Sequence, residues 1–180
     1  MKLSVDDLVF SRLVPSNWHH AVELRFAGSP LWASPTNDAR FKAGGTTYPL
    51  LHFASDEGTA LLEVGVPGPG SSSVKNWKVF CVSVHLDQVV DLRGTAGRDK
   101  VSTTVQELTG DWRGYAERTP TTPISSSPPA PTQALGEALY SRTKCQGFLT
   151  PSAKNPKFPN LVVFADRVRV DEDALTIEPR

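Results

Sequence analysis

The residues with chemical reach sit close together between Arg40 and Glu63. Arg40 is a cation ahead of the glycine pair Gly44-Gly45. The short run Leu50-Leu51-His52-Phe53-Ala54 carries one imidazole, and Glu63 is a lone carboxylate further on. The run is too short for a helix and fits a buried strand. The stretch after it fits a helix, with Ser55 as cap and with Asp56 and Glu57 in the first turn, where the helix dipole favours anions. Gly65 and Pro67 stop that helix, so Glu63 falls in its last turn, where a negative charge is mildly unfavourable. Either Glu63 is a solvated surface acid, as charged side chains mostly are, or something other than helix stability holds it there.

The rest of the chain excludes more than it offers. It has no phosphate-binding Gly-x-x-x-x-Gly-Lys loop, no dinucleotide-fold glycine fingerprint and no His-Glu-x-x-His. Glycines do not flank Ser152 at nucleophile-elbow spacing, so a Ser/His/Asp hydrolase is unsupported. Cys81 and Cys145 make neither a disulfide framework nor a zinc site, and no metal site is read. His19 and His20 are adjacent and make a poor metal pair. Lys plus Arg equals Asp plus Glu at 19 each, which argues against general nucleic-acid binding but leaves room for a local basic pocket taking a small phosphate ligand. With 180 residues, 39% hydrophobic and 21% charged, the chain is ordinary for one globular domain. No leader pattern or membrane-length apolar run is read, so a cytoplasmic protein without membrane contact is expected.

These residues need elements to position them. A first strand is expected over 8–14, containing Arg12, and a short helix over 17–26. Further strands are expected at 50–54, 77–86, 147–150 and 160–164, with a last one at 168–170. Short helices are expected from Ser102 or Thr103 to Leu108, and from Thr132, as cap, to Tyr140. Residues 119–131, rich in Pro, Ser and Thr, read as a surface loop. The strands and helices do not alternate regularly, so the class is α+β, a single domain over 1–180 with its core at about 8–170.

Several segments resemble one family. Arg40-Phe41, Leu51-His52-Phe53-Ala54-Ser55 and Thr59-Ala60-Leu61-Leu62-Glu63-Val64 look like the first half of the RES domain. Pro131-Thr132-Gln133-Ala134-Leu135-Gly136, Gly147-Phe148-Leu149-Thr150-Pro151-Ser152-Ala153 and Asn160-Leu161-Val162-Val163-Phe164 are similar to its second half. Leu86 to Leu92 is similar to the segment between the halves. The resemblance implies a fold like that of ADP-ribosyltransferases, with mixed and antiparallel central strands and short flanking helices. It implies a bacterial toxin that consumes NAD⁺ by hydrolysis, phosphorolysis or ADP-ribosyl transfer. NAD⁺ is then the substrate, and no prosthetic group is implied. The implied partner is an antitoxin with an Xre-type helix-turn-helix domain; self-association is left open.

By position, Arg40, Glu63 and Ser152 match the family's arginine, glutamate and serine, and Arg12 matches an earlier arginine of the ligand cleft. The implied catalytic set is Glu63, Arg40 and Ser152, and the implied ligand contacts are Arg12, Arg40, His52 and Ser152. An arginine suits a pyrophosphate. A fixed carboxylate suits the oxocarbenium-like cation formed when the nicotinamide–ribose bond breaks. Ser152 would bond ligand or align the carboxylate, and Lys154 is a further phosphate contact by proximity. The family often has Tyr where this chain has His52; an imidazole can stack, but in its protonated form it would repel the cationic nicotinamide. Hence the alternative readings: a RES-like binding module or degraded toxin without catalysis, or an ADP-ribosyltransferase acting on a protein.

Overall fold

A computed structural model describes residues 7–67, 71–117, 129–168 and 174–179. Its strands are β1 (Phe10–Glu23), β2 (Leu50–Ala54), β3 (Trp77–Asp91), β4 (Gly147–Pro151), β5 (Pro159–Phe164) and β6 (Leu175–Ile177). The helices are short: α1 (Glu57–Glu63), α2 (Thr95–Lys100), α3 (Val105–Thr109), α4 (Gly114–Glu117) and α5 (Pro131–Arg142). One mixed sheet with few helices agrees with the α+β reading.

The strands lie in the order β1-β2-β5-β4-β3-β6, and β1 pairs with β3 as well, closing the first five in that order into a ring. β1 and β3 run antiparallel from Phe10↔Val90 to Glu23↔Trp77, with irregularities between Ser11 and Ser16. The other edge of β3 is shared: β4 lies parallel to Val89–Asp91, and β6 antiparallel to Val82–Val84.

Side chains alternate across the central strands. Leu51, Phe53, Leu149, Leu161 and Val163 cluster with Trp18, Val82, Val84 and Leu86 on one side. Phe148, Val162 and Phe164 point the other way and pack with Leu108 of α3 and with Leu135 and Leu139 of α5. Burial on both faces is why β2, β4 and β5 read as nearly unbroken apolar runs.

Several expectations need correction. Residues 17–26 are not a helix: β1 runs through Glu23, and only Leu24–Phe26 form a 3-10 turn. Trp18 and Val22 are buried at period-four spacing that suits either helix or strand, and the long partner β3 decides for the strand. His19 and His20 therefore project to opposite faces. Asp56, not Ser55, caps α1, accepting from Thr59 N at 2.9 Å. Thr104, not Ser102 or Thr103, caps α3, in a reciprocal box with Glu107. Thr132 lies inside the first turn of α5, where Pro131 already stands. β3 fuses the 77–86 strand with the segment beyond it. Val168 follows a 3-10 turn and is not in a strand, and residues 169–170 lie outside the described residues. The unforeseen β6 supplies the final strand. Most of the 119–131 loop, residues 119–128, also lies outside the described residues.

Candidate active site

A cleft of about 490 Å³ opens over one face of the sheet. Its floor follows from register: His19 pairs with Ala54, Ala54 with Asn160, and Asn160 with Thr150, giving one row across β1, β2, β5 and β4. The next row carries His52, Val162 and Phe148. Under α5 this face is apolar; beyond the helix it turns polar, and there the cleft begins. Its walls are α1 with Glu63, the Asp38–Phe41 segment and the Thr109–Arg113 segment.

Glu63 ends α1 with one carboxylate oxygen fully engaged. Oε1 accepts from Ser152 Oγ at 2.5 Å, Asn160 Nδ2 at 2.7 Å and Ala153 N at 3.1 Å. Charge-assisted bonds of this kind are stronger than neutral ones, and they offset the unfavourable helix end. Among the described residues nothing donates to Oε2. Ser152 is itself locked, its Oγ accepting from Lys154 N at 3.2 Å and Asn155 N at 3.0 Å. Asn155 Nδ2 in turn donates to Thr59 Oγ1, one turn before Glu63, at 3.3 Å. The circuit ties α1 to the turn after β4.

Arg40 stands at the tip of a tight turn closed by reciprocal Ala39–Lys42 backbone bonds. Phe41 beside it is buried, and its carbonyl accepts from the Tyr48 hydroxyl at 2.9 Å. Gln133 of α5 reaches across to Asp38 Oδ1 at 2.7 Å and Ala39 O at 3.2 Å. α5 approaches so closely that a Cβ on Gly136 would fall 1.9 Å from Phe41 O. Arg40 Nη1 donates to Gly110 O at 2.6 Å and Leu108 O at 3.2 Å, the end of α3, where the dipole favours a cation. Burial lowers its pKa; the charges of Glu63 and Asp111 oppose that shift. The rest of the guanidinium fork is without a partner among the described residues.

His52 is neutral at physiological pH. Burial drives its pKa down to about 4, against a smaller upward pull from Glu63. Its ring stacks near Phe41, centroids 6.4 Å apart, and its Nε2 is buried without a partner. Its backbone oxygen accepts from His20 Nδ1 at 2.7 Å.

The sequence pattern of the RES domain matches residues 12–178. The chain belongs to the RES domain family. The M. tuberculosis MbcT–MbcA toxin–antitoxin complex contains a chain of similar fold: TM-score 0.66 at 17% identity, covering 94% of this RES chain and 85% of that one. No curated protein matches it by sequence.

Of the residues singled out in this RES chain, Arg40, His52 and Glu63 meet in the cleft, with Lys154 on its lining. Ser152 does not line it. It is fully buried behind Glu63 and donates to its carboxylate, which is the aligning one of the two arrangements expected for it. Arg12 is also absent from the lining. It is exposed and bonds Asp87 at 3.2 Å and His85 Nε2 at 3.0 Å, so it is not a cleft arginine here. Sequence reasoning missed Asn160, Asn155, Thr59 and Gln133. One signal was there for Asn160: an amide heading the otherwise apolar run Leu161–Phe164. Among the described residues no His, Cys, Asp or Glu cluster could hold a metal ion, and no helix is long and apolar enough to cross a membrane.

Proposed function

We propose that the chain is an NAD⁺-consuming toxin of a toxin–antitoxin pair, on a sheet related to that of ADP-ribosyltransferases. The observation that carries this reading is Glu63: one oxygen is fixed by three donors, the other is unclaimed among the described residues, and Arg40 lies in the same cleft. The unclaimed fork of Arg40 suits the pyrophosphate of NAD⁺, with Lys154 as a second cation. Glu63 then faces the nicotinamide ribose. As the C1′–N1 bond breaks, its electron pair goes to nicotinamide and C1′ becomes cationic; the fixed carboxylate stabilises that charge without first having to reorient. Water adds through oxygen to C1′ and loses a proton, giving ADP-ribose, nicotinamide and H⁺; phosphate in its place gives the 1-phosphate. A neutral His52 can lie against the cationic nicotinamide without repelling it, which supports this reading with an imidazole where the family often has Tyr. The similarity to a toxin crystallised with its antitoxin supports a protein partner, for which an Xre-type helix-turn-helix protein is the expected class.

The test is the loss of NAD⁺ on incubation with purified, partner-free protein, with and without phosphate, beside Glu63→Gln. The parent depletes NAD⁺, and the variant is slower by about a hundredfold or more. A folded parent that leaves NAD⁺ intact under both conditions sinks the hydrolysis and phosphorolysis reading.

A further inference from the structure

Asn160 does more in the cleft than hold Glu63. Its Nδ2 donates to Glu63 Oε1 at 2.7 Å. A carboxylate can only accept, so the amide nitrogen must face it; the reverse orientation would set oxygen against oxygen. The direction of Oδ1 is thereby fixed, and that atom is buried with no partner. Buried acceptors are rarely left alone in folded proteins. Six buried side-chain atoms lack partners among the described residues, and three of them, on Asn160, His19 and His52, belong to residues lining this cleft. The deficit is therefore concentrated where a ligand would sit. On the cleft floor Asn160 and His19 flank Ala54, which is buried against Ala60 and Leu61 of α1, the helix that ends in Glu63.

Building on the function proposed above, we propose that Asn160 is a specificity-determining residue whose Oδ1 accepts a hydrogen bond from a hydroxyl of the ligand's ribose, beside Glu63. Both free oxygens at this point, Glu63 Oε2 and Asn160 Oδ1, are acceptors, and the matching ligand surface is a pair of O–H donors on adjacent carbons. The nicotinamide ribose supplies such a pair. Because one amide both steadies the acid and reads the sugar, loss of a ribose hydroxyl is felt through Asn160 rather than through Ser152.

The experiment compares kcat/KM on NAD⁺ and on its analogues lacking the 2′- or the 3′-hydroxyl of the nicotinamide ribose, for the parent, Asn160→Ala and Ser152→Ala. Comparing ratios between proteins cancels the analogues' own differences in reactivity. For one of the two analogues, the parent's preference for NAD⁺ should exceed that of Asn160→Ala by about tenfold, the size of one hydrogen bond. Ser152→Ala should be slow yet keep the parent's preference. If NAD⁺ is consumed but the ratios agree between the parent and Asn160→Ala, this inference falls and the NAD⁺ reading stands. If the parent neither binds nor consumes NAD⁺, both fall. Should Asn160→Ala not fold, affinity of the parent for ADP-ribose against its terminal-ribose deoxy analogues decides, and equal affinities overturn the proposal.

Discussion

Glu63 concentrates the tension between stability and chemistry at a single side chain. A negative charge at a helix C-terminus is disfavoured, yet three donors converge on one of its oxygens. Removing one donor should loosen the acid without releasing it. Ser152→Ala, which leaves Ala153 N and Asn160 in place, should lower kcat for NAD⁺ consumption by about ten- to a hundredfold with KM little changed, as steady-state kinetics would show. His52 gives a second prediction. The unfolded chain takes up its proton near 6.5, the folded chain only near 4. Its contribution is therefore complete above 6.5, declines as the pH falls through that window and levels off below 4. Burial pushes His20 in the same direction. Urea unfolding between pH 7 and 4 should show stability falling with acidity, and His52→Phe should flatten that limb by about 3 kcal/mol.

The elements hold Arg40 and Glu63 in place by close approach rather than by long helices. At Gly136, alanine would gain about 1 kcal/mol of helix propensity, but its Cβ would overlap Phe41 O. The overlap dominates: Gly136→Ala should lose about 2 kcal/mol in thermal melts and weaken NAD⁺ binding further, because Phe41 adjoins Arg40. Asp56→Ala, which uncaps α1, should cost about 1 kcal/mol. Apolar runs made β2, β4 and β5 legible in the sequence, since burial on both faces leaves a one-sided composition. The segment Asn17–Phe26 was not legible: a helix and a strand both fit its apolar positions, and its partner begins at Trp77, far along the chain. The arginine, glutamate and serine could be placed by their motifs. What Ser152 does could not, because its burial depends on how the turn after β4 folds back onto α1; nor could the isolation of Arg12, which depends on Asp87 across β1 and β3.

At the level of the molecule, the β1–β3 pairing closes five of the six strands into a ring, and the structure is held without covalent staples. Cys81 and Cys145 are free. With Gly147 opposite Val89, Cys145 lies near Asp87, six residues along β3 from Cys81, a separation of roughly 20 Å. That is far beyond bridging distance. The thermal midpoint should therefore be the same with and without reductant, and a shift with reductant would mean cross-linked chains or a different register.

The donors that fix Glu63 arrive late in synthesis. Ser152 follows it by 89 residues and Asn160 by 97. Contacts so distant in sequence form slowly, and chains emerge from the ribosome at about 5–20 residues per second. For several seconds each nascent chain carries its arginine and its glutamate with nothing to hold the acid in position. The site is completed only when β5 seats between β2 and β4, so a chain released before that point lacks the amide that holds Glu63, and a partner that recognised the folded cleft would find nothing to bind until the same moment.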